Sequence, residues 1–235
     1  RILFDMGQTD AFQKNAEKMN ISLCSATHAI LSHGHYDHGG GIPCFAKCNQ
    51  SAAFYAEPHV FGDYHNASGK FIGLSPSVHQ LLDGRLITNT GVLPICETMA
   101  LFTCNDIHRP YPTDTDGLTK VQNGQRLPDD FFHEQYLLLR ENNRRILVSG
   151  CSHKGVLNLI HWFRPDVFIG GFHLMHTMPD TESGKASLEK AAYILLQSPT
   201  VYYTGHCTGE AQYVFLKSIM KERLHRLSSG KVFTI

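Results

Sequence analysis

The segment Ser32–Gly41 constrains this chain more than any other, because it places four metal-binding side chains within six residues. The four are His33, His35, Asp37 and His38, and three glycines follow them. Neutral imidazoles and carboxylates bind Zn²⁺, Mn²⁺ and Fe²⁺ in proteins, and glycines let the backbone turn tightly beside a bound ion. The apolar run Ala29–Leu31 predicts a buried strand just before the segment. The pattern therefore predicts a metal site at the end of a strand.

The spacing of these side chains is compatible with a second ion. His33 and His35, at i and i+2, can point the same way from extended backbone. Asp37 and His38 lie about one turn further along, where they can face a second ion. Chance clustering is the alternative, since the chain has 15 histidines among 235 residues. The order of the four residues directly behind an apolar strand favours a metal site over chance clustering.

This His-x-His-x-Asp-His block resembles the signature of the metallo-β-lactamase superfamily. In that superfamily the first two histidines bind one metal, and the aspartate and last histidine bind another. The resemblance implies a four-layer αββα sandwich, and we expect its first strand or strands to lie before Arg1. Four more blocks resemble the branch that includes dihydropterin–ribofuranosylaminobenzene 5'-phosphate synthase. These blocks are Leu3–Gln8, Gly150–Gly155, Gly170–Leu174 and Thr204–Gly209.

Apolar strand-like runs alternate with helical patterns along the chain, and this alternation predicts an α/β fold. No linker or repeat interrupts the sequence, so we predict one domain over residues 1–235. From about 62 to 135 the pattern loosens, with many Gly, Pro, Asn and Asp residues. We interpret this irregular region as the lid and wall of the site.

Composition excludes several functional classes. Lysine plus arginine and aspartate plus glutamate both total 21, so the formal charge is zero and a broad nucleic-acid-binding surface is not expected. No apolar run is long enough to span a membrane. The seven cysteines form no regular disulfide framework, which favours reduced thiols and a cytoplasmic protein. The expected partner is a small-molecule substrate, and the sequence does not indicate an oligomeric state.

Three apolar strands in the second half each run into a glycine and then a histidine: His153, His173 and His206. Strand ends in α/β folds open onto the ligand crevice, so these side chains are candidates for the site. The superfamily resemblance implies that His206 completes the second metal site. It also implies a third histidine for the first site, for which His153 is preferred and His133 is the alternative.

The bridging aspartate of the superfamily has no counterpart at a strand end between residues 153 and 206. Cys151, His173 or water are the alternatives for the bridge. A thiolate would favour zinc, whereas imidazole, carboxylate and water suit zinc, manganese or iron. We therefore expect two divalent metal ions. Zinc is the preferred identity, and manganese or iron are the alternatives. The strand–Asp-x-Gly pattern at Asp5 resembles the first motif of the superfamily. The resemblance implies that Asp5 accepts a hydrogen bond from a ligand histidine and fixes its orientation, with a simple turn aspartate as the alternative.

Other polar side chains are candidates for catalysis and substrate binding. Asp37 and His173 are the candidate catalytic groups, and His173 can act as a proton donor. Arg109, Tyr111 and Lys154 are candidates to hold a substrate anion. His176 is a candidate substrate contact, with packing between Met175 and Met178 as the alternative role.

Two metals held in this way can polarise a phosphoryl or carbonyl oxygen and can lower the pKa of bound water. The preferred interpretation is a dinuclear metal-dependent hydrolase that acts on a small phosphorylated or cyclic substrate through metal-activated water. The resemblance implies an alternative, a synthase-type transferase that joins a dihydropterin pyrophosphate to a ribofuranosylaminobenzene phosphate. A low-turnover ligand-binding or sensing protein is the third alternative. An RNA-processing nuclease is disfavoured by the neutral charge.

Overall fold

The computed structural model of the protein describes residues 1–235. Its backbone contacts divide the chain into two compact units. Unit 1 consists of Arg1–Leu93, Leu101–Asn105 and Asp114–Gln135, and unit 2 consists of Pro94–Ala100, Asp106–Thr113 and Tyr136–Ile235. The prediction of a single domain stays a prediction.

Unit 1 begins with alternating strands and helices and continues with short strands. Its first elements are β1 (Ile2–Phe4), α1 (Ala11–Lys18), β2 (His28–Ile30), α2 (Tyr36–Gly39), α3 (Ile42–Cys48) and β3 (Ala53–Ala56). Then come β4 (Asp63–His65), α4 (Ser77–Leu81) and β5 (Leu86–Thr88), followed by β6 (Val92–Cys96) and β7 (Met99–Phe102), which cross between the units. The last two strands of unit 1 are β8 (Thr119–Gln122) and β9 (Gln125–Pro128).

A four-stranded parallel sheet forms the core of unit 1, in the order β1-β2-β3-β5. The apolar run at β2 has strands on both sides, and parallel strands of this kind are buried on both faces. Leu31, Ile42, Phe45 and Phe54 are fully buried in one hydrophobic cluster next to this sheet. The segments that follow β1 and β2 leave the same edge of the sheet, since the two strands are parallel and in register. This register brings Asp5 next to the histidine-rich segment.

The region 62–135 contains more regular structure than the sequence predicted. Strands β4, β8 and β9 form a three-stranded antiparallel sheet. Both β8 and β9 are mostly polar and poorly buried, so they lack the apolar alternation that predicts a strand. The turn between them is Asn123-Gly124, with φ of 52° and 75°. This Asn-Gly pair is a strong hairpin signal, but the hairpin was not predicted from the sequence.

Unit 2 alternates strands and helices. Its elements are β10 (Tyr136–Glu141), β11 (Arg144–Val148), α5 (Val156–Phe163), β12 (Val167–Ile169), α6 (Glu182–Leu196), β13 (Val201–Thr204), α7 (Glu210–Met220) and β14 (Leu224–Arg226). The alternation of apolar runs and helical patterns that predicted an α/β fold corresponds to these elements. None of the helices in the protein is long and apolar enough to cross a membrane.

The sheet of unit 2 runs in the order β14-β13-β12-β11-β10 and continues with β7 and β6. Strands β11 to β14 are parallel, and β10 pairs with β11 as an antiparallel hairpin. The rings of Phe168, Phe172 and Tyr202 pack against one another in its core. The carboxyl ends of β11, β12 and β13 share one edge, so the three histidine-bearing loops leave the sheet together.

Candidate metal centre

Asp5 organises the histidine-rich segment of unit 1. Its Oδ1 accepts a hydrogen bond from the Ser32 amide at 2.7 Å, and its Oδ2 accepts one from the Ser32 hydroxyl at 2.7 Å. The same Oδ2 lies 2.6 Å from His38 Nδ1. The carboxylate therefore connects the end of β1 to both ends of the segment between Ser32 and His38. The structure places Asp5 against His38, and its predicted role as the partner of a ligand histidine stays a prediction.

These hydrogen bonds indicate where the imidazoles carry their protons. His38 donates from Nδ1 to the Asp5 carboxylate, which puts the lone pair of the ring on Nε2. Ser32 Oγ, which donates to Asp5, lies 2.8 Å from His33 Nδ1 and accepts the proton of that nitrogen. Both rings thus present Nε2 lone pairs, which is the form of histidine that binds a metal.

Asp37 is the carboxylate next to His38. Its Oδ2 lies 3.7 Å from His38 Nε2, and the side chain of Asp37 is about one-third exposed whereas that of His38 is nearly buried. Burial alone lowers the pKa of His38, but the Asp5 carboxylate outweighs it and raises the pKa above its ordinary value. A more basic imidazole is a stronger electron donor to a cation. The pair is therefore suited to share one ion.

Replacing Asp5 by asparagine is expected to weaken metal binding about 10- to 100-fold, the usual effect of losing the partner of a ligand histidine. Asparagine has a single acceptor oxygen, and it cannot satisfy Ser32 and His38 together. Titration with a chelating dye in competition for Zn²⁺ measures the change. Asp10→Asn is the matched control, because Asp10 is exposed and pairs only with Lys14. Equal affinities of the two variants would contradict the role of Asp5.

A second buried cluster in unit 1 contains His35, Asp129 and His133, whose ligand atoms lie within 4.8 Å of one another. Burial lowers the pKa of His35 to about 4, although Asp129 acts in the opposite direction. Imidazole at this position is therefore neutral at pH 7. Burial raises the pKa of the Asp129 carboxyl, but the hydrogen bond from His133 and the nearby His35 imidazole, 3.9 Å away, outweigh it and hold the pKa below its ordinary value.

Both nitrogens of His133 are engaged within this cluster. The Gly34 amide donates to His133 Nδ1 at 2.9 Å, so the proton of the ring is on Nε2 and points to Asp129 Oδ2 at 3.1 Å. In this arrangement His133 supports Asp129 and the backbone between the first two histidines. Gly34 permits this contact, because a Cβ there would lie 2.4 Å from the carbonyl oxygen of Val60.

In unit 2 the loops after β11, β12 and β13 contact one another. The ring centroids of His153 and His173 are 4.2 Å apart, and His153 and Cys151 are both buried. Cys207 Sγ donates to the carbonyl oxygen of Cys151 at 3.5 Å, which ties the loop of His206 to the loop of His153. His206 itself is exposed. Unit 2 therefore gathers four of the predicted site residues at one edge of its sheet.

Several of these residues have left-handed backbone. The φ angle is 58° at Asp5, 51° at His173 and 51° at His206. Positive φ is uncommon for residues other than glycine, and asparagine, aspartate and histidine are the types that adopt it most often. Such residues cluster at functional sites, where the surrounding structure holds them.

The four predicted substrate-binding residues lie in different surroundings. Lys154 is fully buried, with Nζ 5.5 Å from the centroid of the Tyr136 ring. Arg109 is half-buried. Tyr111 lies beside α5, where the side chain of Asn158 bonds both its amide and its carbonyl oxygen and also donates to the carbonyl oxygen of Lys154. His176 is exposed beside Met178 and Thr181.

Sequence reasoning missed Asp129. It lies in the region interpreted as irregular, after β9, and only its position four residues before His133 could have indicated a pair. Gln135 belongs to the same region and was also missed. Its side-chain amide donates to the carbonyl oxygens of Leu31 and Tyr55 at 2.9 and 3.2 Å, which anchors this region to β2 and β3.

The donor set fits a divalent metal ion. Unit 1 by itself presents three buried imidazoles and the half-buried carboxylate of Asp37. Unit 2 by itself presents imidazoles and a buried thiol at the edge of its sheet. Nitrogen, oxygen and sulfur donors in this combination suit zinc, and without the thiol they also suit manganese and iron.

Comparison with known proteins adds a sequence relative along nearly the whole chain. No protein-family model matches. The chain is 28% identical over 254 residues to 7,8-dihydropterin-6-methyl-4-(β-D-ribofuranosyl)-aminobenzene-5'-phosphate synthase of Methanocaldococcus jannaschii, covering 99% of this chain and 83% of that protein. It is also 24% identical to an uncharacterised protein of the same organism, over 74% of this chain and 68% of that one.

Solved structures show the same fold. Tm1679, a metal-dependent hydrolase of the β-lactamase superfamily, superposes with a TM-score of 0.82 at 23% identity, covering 100% of this chain and 88% of that one. Zn²⁺-bound PqqB from Methylobacterium extorquens gives a TM-score of 0.57 at 11% identity, over 100% and 83% of the two chains. The predicted α/β fold is confirmed: this protein has the metallo-β-lactamase fold, and its sequence resembles the dihydropterin-linked synthase branch of that superfamily.

Proposed function

We propose that this protein is a metal-dependent hydrolase that acts on a small phosphorylated or cyclic substrate. The observation that supports this most is the hydrogen-bonded array of Asp5, Ser32, His33 and His38. It presents two imidazole lone pairs next to the Asp37 carboxylate. A buried array that fixes the proton positions of two histidines serves metal binding better than it serves packing, because buried polar groups are costly unless they are paired.

The proposed ligands come from both units. In unit 1 they are His33, His35, Asp37 and His38. From unit 2 we propose His153 and His206, following the superfamily resemblance, with Cys151, His173 or water as the bridge. We prefer His153 to His133 as the third histidine, because both nitrogens of His133 are engaged by Gly34 and Asp129. When bound, two divalent ions would supply Lewis acidity and lower the pKa of a water molecule toward neutrality.

The side chains of this protein would then orient the substrate and move protons. Asp37, half-exposed beside His38, is placed to accept a hydrogen bond from the attacking water at Oδ2. His173, half-buried against His153, can donate a proton to the leaving group. Asp5 and Asp129 keep the imidazoles of their neighbours in place and do not need to contact the substrate.

A screen of phosphodiesters, phosphomonoesters and lactones, with and without added Zn²⁺ or Mn²⁺, tests this function. We expect turnover that chelation abolishes and added metal restores. His35→Ala should lower this turnover by more than about 100-fold, since losing a ligand exceeds the effect of losing the partner of one. Bound metal without turnover of any of these substrates would instead favour a low-turnover binding or sensing protein.

A second candidate is a synthase-type transferase that joins a dihydropterin pyrophosphate to a ribofuranosylaminobenzene phosphate. The observation in its favour is the 28% identity to the named synthase over 99% of this chain. Incubation with both compounds, followed by mass spectrometry, separates the candidates. A joined product together with released pyrophosphate supports the synthase, whereas a dihydropterin alcohol without a joined product supports the hydrolase.

A further inference from the structure

A second cleft lies in unit 2, at the edge of the sheet opposite to the histidine loops. Arg145 is near the start of β11, and its amide donates to Asp166 Oδ2 at 2.7 Å just before β12. His153 follows the other end of β11. The five steps of extended chain from Arg145 to Gly150 span roughly 16 Å, so Arg145 lies far from the histidine cluster of unit 2.

The cleft has the size and lining of a small-molecule site. Its volume is about 440 Å³, within the usual range for ligand pockets. Leu157 and Ile160 of α5 and Ile194 of α6 form an apolar floor, and Arg145 and Arg164 belong to its polar rim. An apolar floor with a few polar groups at the rim is typical of sites that bind organic ligands rather than inorganic ions alone.

The rim is positively charged. The guanidinium of Arg164 is exposed and makes no hydrogen bond or ion pair within the protein. Arg145 uses one side-chain donor, Nη2, for the carbonyl oxygen of Arg164 at 2.5 Å. Asp166 is the one acidic residue of the lining, and its Oδ2 already accepts the Arg145 amide. Two arginines against one occupied carboxylate favour an anionic ligand.

An aromatic wall closes one side of the cleft. The rings of Tyr111 and His161 lie edge to face, with centroids 6.2 Å apart. The buried side chain of Asn158 holds the backbone of Tyr111, accepting from its amide at 2.9 Å and donating to its carbonyl at 2.8 Å. Trp162 Nε1 donates to the carbonyl oxygen of His108 at 3.1 Å. The wall is therefore fixed before any ligand arrives, which favours binding.

We propose that this cleft binds a small aromatic compound carrying a phosphate or carboxylate group. Arg164 and Arg145 hold the anionic group, and the ring of the ligand packs between Tyr111 and the apolar floor. This site is independent of the proposed hydrolase, since none of its residues belongs to the candidate metal centre. It also gives Tyr111 a role in binding the ring of a ligand, in place of the anion-binding role that the sequence predicted.

Phenylphosphonate is a suitable probe, because it combines a ring with a phosphonate and resists hydrolysis. Trp162 is the only tryptophan in the chain. It follows the lining residue His161 and bonds the carbonyl oxygen of His108, three residues before Tyr111, so its fluorescence serves as the readout of binding. Arg164→Asn removes the charge, and asparagine tolerates the left-handed backbone of this position, where φ is 43°. Lys190→Gln is the matched control, since it removes an exposed charge from α6 outside the cleft.

We expect phenylphosphonate to cause a saturable change in Trp162 fluorescence. The affinity for this probe should fall at least about tenfold in Arg164→Asn and should be unchanged in Lys190→Gln. The same binding should persist in His35→Ala, which lacks a proposed metal ligand. No saturable change, or equal affinity of Arg164→Asn and Lys190→Gln, would overturn the proposal. Loss of binding in His35→Ala would also overturn it, by assigning the probe to the metal centre. If inorganic phosphate bound as tightly as phenylphosphonate, the proposal that the cleft recognises the aromatic ring of its ligand would be overturned.

Discussion

The His38→Ala variant is expected to retain fewer metal ions than the wild-type protein and to lose metal-dependent turnover by more than about 100-fold. Alanine removes the proposed nitrogen ligand. It also leaves Asp5, which bonds His38 at 2.6 Å, with a part-buried carboxylate oxygen that has lost a donor. Elemental analysis of protein purified without added metal measures the stoichiometry, and the activity of the same preparation measures turnover.

His79→Ala is the matched control for this variant. His79 is an exposed residue of α4 whose ring contacts Phe61 edge to face, and it takes no part in the donor clusters. Its metal content and turnover should equal those of the wild type. A His38→Ala protein with full metal stoichiometry would remove His38 from the ligand set, even if activity fell.

Gly40→Ala is expected to lower the free energy of unfolding by about 3 kcal/mol, the upper part of the range for overpacking. The backbone of Gly40 is right-handed, with φ of −63°, so alanine causes no conformational strain there. Its Cβ, however, would lie 2.2 Å from the carbonyl oxygen of Gln8 and 2.5 Å from that of Tyr36. Backbone atoms cannot rotate away, so the Gln8 loop must move, and Asp5 lies at the start of that loop.

Urea unfolding followed by circular dichroism measures this loss of stability. Gly91→Ala is the control, because a Cβ at Gly91 meets nothing within 4 Å and the residue does not have a left-handed φ. Its stability should stay within about 0.5 kcal/mol of the wild type. A Gly40→Ala protein as stable as Gly91→Ala would mean that the loop after β1 can shift without penalty.

Much of the fold was predictable from the sequence, because its parallel strands are apolar and end in recognisable segments. The runs at β2 and β12 are buried, and periodicity identifies buried strands well. The hairpin of β8 and β9 was missed for the opposite reason, since its residues are polar and exposed. In this hairpin only the pair Asn123-Gly124, which favours a tight turn, indicated the structure.

Local sequence could identify the ligand block but not what surrounds it. Asp5 was found because it follows a strand in a short pattern, whereas Asp129 lies about 90 residues after His35. Two buried groups so far apart in sequence meet only through the tertiary fold, and no local period connects them. The prediction of Tyr111 as an anion-binding residue had the same weakness. Its chemistry was visible in the sequence, but its contact with Asn158 of α5, 47 residues further along, depended on the path of the chain.

The left-handed backbone at Asp5, His173 and His206 bears on how such a site can change during evolution. A left-handed position excludes most branched and bulky residues, and it leaves glycine, asparagine, aspartate and histidine as the readily accepted types. Two of these four bind metals. Among the substitutions that the fold tolerates at His173 or His206, metal-binding side chains are therefore more frequent than at positions with ordinary backbone. The loop conformation restricts which residue types these positions accept. New sets of metal ligands can therefore arise here without a new fold.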